Sequence, residues 1–163
     1  MAALVISVGA VEAGVRAYRI NLGWHISPTI PVSTLPPDSS LSFVPLARLA
    51  ARERELAAHI TALPDAVSGD SWLRAAAAAR ALRAHASRIT SVERAAESGK
   101  DGAADLDLLV SRLREGVSAY ERLTDTAAEL AAHDVHGATP KDAAVRLGDA
   151  TDVLVGMMRG LAS

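Results

Sequence analysis

The sequence predicts an all-α fold: an alanine-rich antiparallel four-helix bundle, of coiled-coil type, over residues 46–163. Three observations predict it. Half of the residues are hydrophobic, yet aromatics make up only 3%. Much of the apolar content is alanine, which favours helix and buries little area, so it suits close helix–helix contact. Sheet-forming Val, Ile, Thr and aromatic residues are sparse after residue 45, which argues against strands. Finally, apolar residues recur in steps of three and four through four segments punctuated by Pro, Gly and capping residues.

Residues 1–20, MAALVISVGAVEAGVRAYRI, read as a short apolar N-terminal helix. Its uncharged run from Met1 to Val11 is about half of the roughly 20 residues that cross a bilayer. No basic region precedes it and no clear small-residue cleavage site follows, so it is a poor secretory signal. Glu12 and Arg16 stand four apart and can pair on a helix. Arg16, Tyr18 and Arg19 follow the apolar run, as at the cytoplasmic exit of a membrane helix. The other reading is a helix that docks on the bundle or on another chain. Residues 21–45 carry Pro28, Pro31, Pro36, Pro37 and Pro45 and read as a semi-rigid, extended spacer. Trp24 within it suits a membrane interface or packing on the bundle.

The first bundle helix is expected from Pro45 to Leu63, with Pro45 in its first turn and Pro64 forbidding continuation. Leu49, Leu56 and Leu63 repeat every seven, Leu46 and Ile60 share their face, and Arg52, Arg54 and Glu55 form the solvated side. The second helix starts at Asp70 or Ser71, either able to cap it, and runs to Glu97, where Gly99 can terminate it. Its seam is Ala75, Ala78, Leu82, His85, Ile89, Val92 and Ala96. The third runs from Ala103 to Ala132 with the seam Leu106, Leu109, Leu113, Gly116, Tyr120, Leu123, Ala127 and Leu130. Such a helix spans about 40 Å at 1.5 Å per residue and carries a coiled-coil pattern. Thr139, Pro140 and Asp142 open a fourth helix to Leu161. Its seam is Ala143, Leu147, Ala150, Leu154, Met157 and Leu161. Short loops at 64–70, 98–102 and 133–139 favour antiparallel neighbours.

Chemistry is hard to place on this pattern. A net charge of −2 from 17 basic and 19 acidic residues gives no field for nucleic acid. The absence of cysteine excludes disulfides and thiolate metal sites. His133 and His136, with Glu129, could share a metal, but histidines at a helix C-terminus are better explained by the helix dipole. His85 reads as a partly buried seam histidine with a local hydrogen bond. Gly156 and Gly160 form a small-xxx-small pair that suggests close packing. No phosphate-binding glycine loop and no Ser–His–Asp context is present. An α-helical enzyme would need arginines on its seams, and these seams carry none. The expectation is therefore a non-enzymatic protein without cofactor, metal or catalytic residues. It would act through helix-in-groove docking of seam residues such as Leu49, Leu56, Leu109 and Leu123 on a partner.

The order of features then matters: an apolar run ending in YR, a proline-rich spacer, then LARLAARERELAAHI (46–60), AAAAARALRAHASRI (75–89), LREGVSAYERLTDTAAELAA (113–132) and LGDATDVLVGMMRGLA (147–162). This resembles the membrane protein of the actinobacterial phage-shock envelope stress response, the M-type component of that system. EGVSAYERL (115–123) and ATDVLVGMMRGL (150–161) carry most of the resemblance. It implies an accessory protein at the cytoplasmic face of the inner membrane, whose helical domain works with the phage-shock A-type coiled-coil effector. It implies no catalytic residues. The family is expected to carry full membrane spans before the helical domain, where this sequence has only the apolar stub at 1–20. The alternative is a soluble, cytoplasmic, homo-oligomeric helical module.

Overall fold

The computed structural model describes residues 35–98, 103–133 and 139–161. These residues form an all-α bundle of α1 (Phe43–Ala62), α2 (Asp65–Ser68), α3 (Ser71–Glu97), α4 (Ala103–His133) and α5 (Pro140–Leu161). No strand occurs among them. The apolar run at 1–20, the Glu12–Arg16 pairing, Trp24 and Gly99 lie outside the described residues, as do residues 134–138 of the HDVH segment. No helix among the described residues is long and apolar enough to cross a membrane.

Local chemistry sets each boundary. α1 begins at Phe43, two residues before the position expected from Pro45, so Pro45 stands in the first turn where no amide hydrogen is needed. Its N-cap Ser42 makes no side-chain capping bond. The segment before it is held instead by Glu93 of α3, whose carboxylate accepts the Leu41 amide at 2.8 Å and the Ser40 hydroxyl at 2.7 Å. The end of the proline-rich segment is therefore folded onto the bundle rather than extended. Ser40 is buried and Leu35 packs against the core. Pro64 stops α1, and DAVS then forms the one-turn α2, closed by Gly69 at φ 39°. That left-handed conformation favours glycine. The sequence pattern placed only a loop there. Asp70 precedes α3 without a side-chain capping bond, whereas Thr139 behaves as anticipated. Its Oγ1 accepts the Asp142 amide at 3.3 Å and donates to the Asp142 carboxylate at 2.7 Å.

Side-chain pairs fix the helix directions. Ser42 meets Thr90 and Glu53 meets Arg83, so α1 and α3 are antiparallel. Arg48 pairs with Glu121 and Arg52 with Asp125, so α1 and α4 run parallel. Glu129 pairs with Arg146, making α4 and α5 antiparallel. α4 packs on α1, α3 and α5 and is the hub of the bundle. Its position explains a buried face wider than one seam: Val110, Val117, Ala119 and Thr124 are buried alongside Leu113, Tyr120, Leu123, Ala127 and Leu130. On α3 the expected seam is buried through Ile89, but Val92 is half-buried and Ala96 exposed.

The tightest contact lies where α3, α4 and α5 converge. A Cβ added to Gly116 would overlap Leu82 Cδ2 and lie 3.1 Å from Met158 Cε. Leu82 is fully buried and has no solvent to retreat into. Overpacking of this kind costs about 1–3 kcal/mol, against about 1 kcal/mol of helix propensity recovered. By contrast, a Cβ at Gly156 or Gly160 would meet nothing within 4 Å, so the small-xxx-small pair does not mediate packing inside this bundle. Gly116→Ala is expected to lower the urea midpoint of unfolding, whereas Gly156→Ala raises it or leaves it unchanged. Chemical denaturation of the two variants side by side checks this.

Candidate functional site

The helix seams are consumed internally. Leu49, Leu56 and Leu123 are each 0% exposed, and Leu109 is half-buried against the same core. These four residues were the expected partner-docking surface. Instead they close the bundle, because α4 offers α1 a complementary apolar face within the chain. Burying each leucine stabilises the fold by about 1.5–3 kcal/mol. None of the three fully buried leucines is available to a partner while the bundle is closed.

Among the described residues the acid buried in this core is one that the sequence pattern passed over. Leu46, Leu49, Glu53, Leu56, Ile60 and Leu63 continue the steps of three and four without a gap, and all six are buried. Glu53 thus occupies a seam position. Its Oε2 accepts a hydrogen bond from Arg83 Nη2, with side-chain exposures of 7% and 20% for the two residues. Arg83 is not on the α3 seam and reaches in from its edge. Tyr120 of α4 is also buried here. Burial first and the Glu53 charge second push its phenol above the ordinary tyrosine range. Burial likewise raises the Glu53 carboxyl above the usual carboxylate range, opposed by the Arg83 charge and hydrogen bond. Glu53 Oε1 has no partner among the described residues. A half-satisfied buried pair contributes little net stability, but it penalises any register that separates the two charges.

His85 sits on the seam as expected but is buried, and its hydrogen bond is not local: Nε2 donates to the Leu109 carbonyl of α4 at 2.9 Å, with Nδ1 unpartnered among the described residues. Among the described residues no group of three His, Cys, Asp or Glu side chains could hold a metal ion. The side chain of His133 lies outside them.

The second feature is an open cleft of about 630 Å³ between the 38–48 segment and α4. Its walls include Leu41 and Val44, 46% and 63% exposed, with Arg48, Arg114 and Ser118 around them. Glu93 holds Ser40 and the Leu41 amide, leaving the Leu41 side chain exposed, while Val44 lies on α1 away from the buried Leu46 and Leu49. Arg48 is held by Glu121 at 2.8 Å, and Arg114 is exposed. The cleft combines the side chains of Leu41 and Val44 with two guanidinium groups and the carboxylate of Asp38.

Breaking the Glu53–Arg83 pair from one side leaves a buried charge, so Arg83→Met is expected to destabilise the fold by about 3 kcal/mol. The double replacement Glu53→Leu with Arg83→Met should recover most of that loss. The pH dependence has a defined sign. A carboxyl whose folded pKa is raised contributes most stability below the ordinary carboxylate range, and this is lost as pH rises through the raised value. The stability difference between wild type and Glu53→Gln should therefore shift against the wild type as pH rises through that window. Urea titrations across acid to neutral pH measure it.

Comparison with curated proteins and with solved structures finds no match. A family model matches residues 1–163. The chain, closed on itself around α4 with its seams spent inside, belongs to the Rv2743c family.

Proposed function

We propose that this protein is a non-enzymatic, membrane-associated adaptor of the envelope (phage-shock) stress response, acting through helix–helix contact with a coiled-coil effector of the phage-shock A type. The observation that carries the reading is the cleft at the start of α1. Leu41 and Val44 stand outside an otherwise finished core, beside Arg48 and Arg114. Two exposed apolar anchors beside Arg114 suit a helix that offers apolar residues and an acid on one face. The docking surface thus moves from the buried seams to the bundle's edge. The sequence adds two supports: the resemblance in EGVSAYERL and ATDVLVGMMRGL, and the apolar run ending in Arg16, Tyr18 and Arg19. The latter suits attachment at the cytoplasmic face of the inner membrane.

The effector should be captured by the full-length protein, and the pair Leu41→Asp with Val44→Asp should weaken capture by about tenfold or more. These positions are exposed, so circular dichroism should show the fold intact. Leu49→Asp is the contrasting control and should unfold the bundle. Unchanged capture by the cleft variant would reject the docking site. Recovery of the native protein wholly in the soluble fraction would reject the membrane association.

A further inference from the structure

Charge is shared unevenly among the helices. α3 holds five arginines against two glutamates, whereas α4 holds three arginines against six acids. The excess on α3 is concentrated at its surface. Of the exposed residues from Leu73 to Ala96, Arg74, Arg80, Arg88 and Arg94 are basic and none is acidic. Glu93 is engaged by Ser40 and Leu41, and Glu97 stands in the last turn. Between Arg74 and Arg94 the other exposed positions are Ala77, Ala84, Ser87 and Ser91, all small.

α1 extends this basic face. Arg52 pairs with Asp125 of α4, and Glu53 with Arg83 of α3. At 3.6 residues per turn, Arg54 follows on the outer lip of the groove between α1 and α3. The Ser42–Thr90 and Glu53–Arg83 contacts put it at the level of Arg80, to within about one turn. Arg54 and Arg94 donate from Nε to carbonyls of their own helices, Ala50 at 3.3 Å and Thr90 at 3.2 Å. Arg48, Arg52, Arg74, Arg83 and Arg146 all have carboxylate partners, but among the described residues no carboxylate pairs with Arg54, Arg80, Arg88 or Arg94. The fold thus leaves four guanidinium charges open on one face, where their mutual repulsion opposes folding.

The chain enters the bundle at the Arg94 end of this face, where Glu93 fastens Ser40 and the Leu41 amide. Fourteen residues, 21–34, separate the apolar run at 1–20 from Leu35. A proline-rich spacer of that length reaches about 43 Å at about 3.1 Å per residue. From Arg80 to Arg94 the face is about 21 Å long. A chain held in a bilayer through residues 1–20 therefore has length to spare for laying the whole face on that bilayer.

We propose that the α1/α3 face docks on an anionic lipid bilayer, with Arg54, Arg80, Arg88 and Arg94 meeting headgroup phosphates. The proposal rests on the membrane-associated reading above and adds which face of the bundle meets lipid and what lipid charge it requires. Guanidinium groups bind phosphate oxygens through paired donors, and the small residues between them let the face lie close to a flat surface. The cleft at Leu41 and Val44 opens toward Arg114 and Ser118 of α4, on the other flank of α1, so lipid and effector occupy different surfaces.

Co-sedimentation of the full-length protein with vesicles tests this. Vesicles of phosphatidylglycerol and phosphatidylcholine in equal parts are compared with phosphatidylcholine alone. The expected result is tighter binding to the anionic vesicles, lost progressively as salt rises. Each arginine near an anionic surface raises partition by about fivefold. Arg54→Gln with Arg80→Gln should therefore lower partition onto the anionic vesicles by roughly twentyfold, with binding to phosphatidylcholine and circular dichroism unchanged. Arg122→Gln with Lys141→Gln removes the same charge from exposed positions elsewhere and should have little effect. Equal binding to both vesicle types, or an anionic preference reduced equally by both pairs of substitutions, would overturn the docking face while leaving membrane association standing. Binding to neither vesicle would overturn the membrane reading with it. Undiminished vesicle binding by the Arg54 and Arg80 variant, together with lost capture of the coiled-coil effector, would reassign the face to an acidic protein and overturn the lipid proposal.

Discussion

The closeness with which α3 can approach α4 decides the rest of this structure. At Gly116 the α4 backbone has no side chain, and the Leu82 methyl of α3 fills the space that a Cβ would take. Met158 enters from α5 at the same level. That three-way contact sets the depth at which the surrounding leucines meet. It also explains how a core with so few aromatics can be dense. Alanines at 75, 78, 79 and 86 bring α3 in near its backbone, and the leucines of α1 and α5 fill the remaining volume.

Within that packing the Glu53–Arg83 pair has a different role from the leucines. Interchangeable apolar residues at heptad positions tolerate a slip of one repeat, because leucine meets leucine in either register. An acid at one seam position can be satisfied only where an arginine reaches it. The pair thus gives α1 and α3 a single matching alignment, at a cost in desolvation that the surrounding hydrophobic burial offsets. Glu93, which holds Ser40 and Leu41, aligns the same two helices a second time near the other end of α3.

Much of this was legible from sequence. Pro64, Asp70 and Thr139 marked helix ends to within two residues, because proline and capping residues act locally through backbone donors and dihedrals. The seams of α4 and α5 were read correctly at nearly every described position, since a period near 3.6 reports which face is apolar. Periodicity does not report what covers that face. A seam that meets a partner and a seam that meets its own chain have the same spacing, so Leu49, Leu56, Leu109 and Leu123 could not be assigned to the interior beforehand. Glu53 was hidden for a related reason. A charged residue is not counted in an apolar pattern, although Glu53 completes the buried steps from Leu46 to Leu63. Arg83 has no periodic signature, because a long side chain reaches the core from outside the seam. The placing of Leu41 follows from hydrogen bonds to a residue some fifty positions away, which no local pattern encodes.

The grip of Glu93 on the entry segment also has a mechanical meaning. The chain does not run straight from Leu35 into α1. It is stapled to α3 at Ser40 and Leu41 before the helix begins. Tension arriving along residues 1–34 would therefore reach α3 through two carboxylate hydrogen bonds before it could peel the first turn of α1. The helix end most exposed to pulling is shielded by a clamp that loads a different helix. A protein tethered through its N-terminus would in this way pass strain into the last turns of α3 instead of fraying the start of α1.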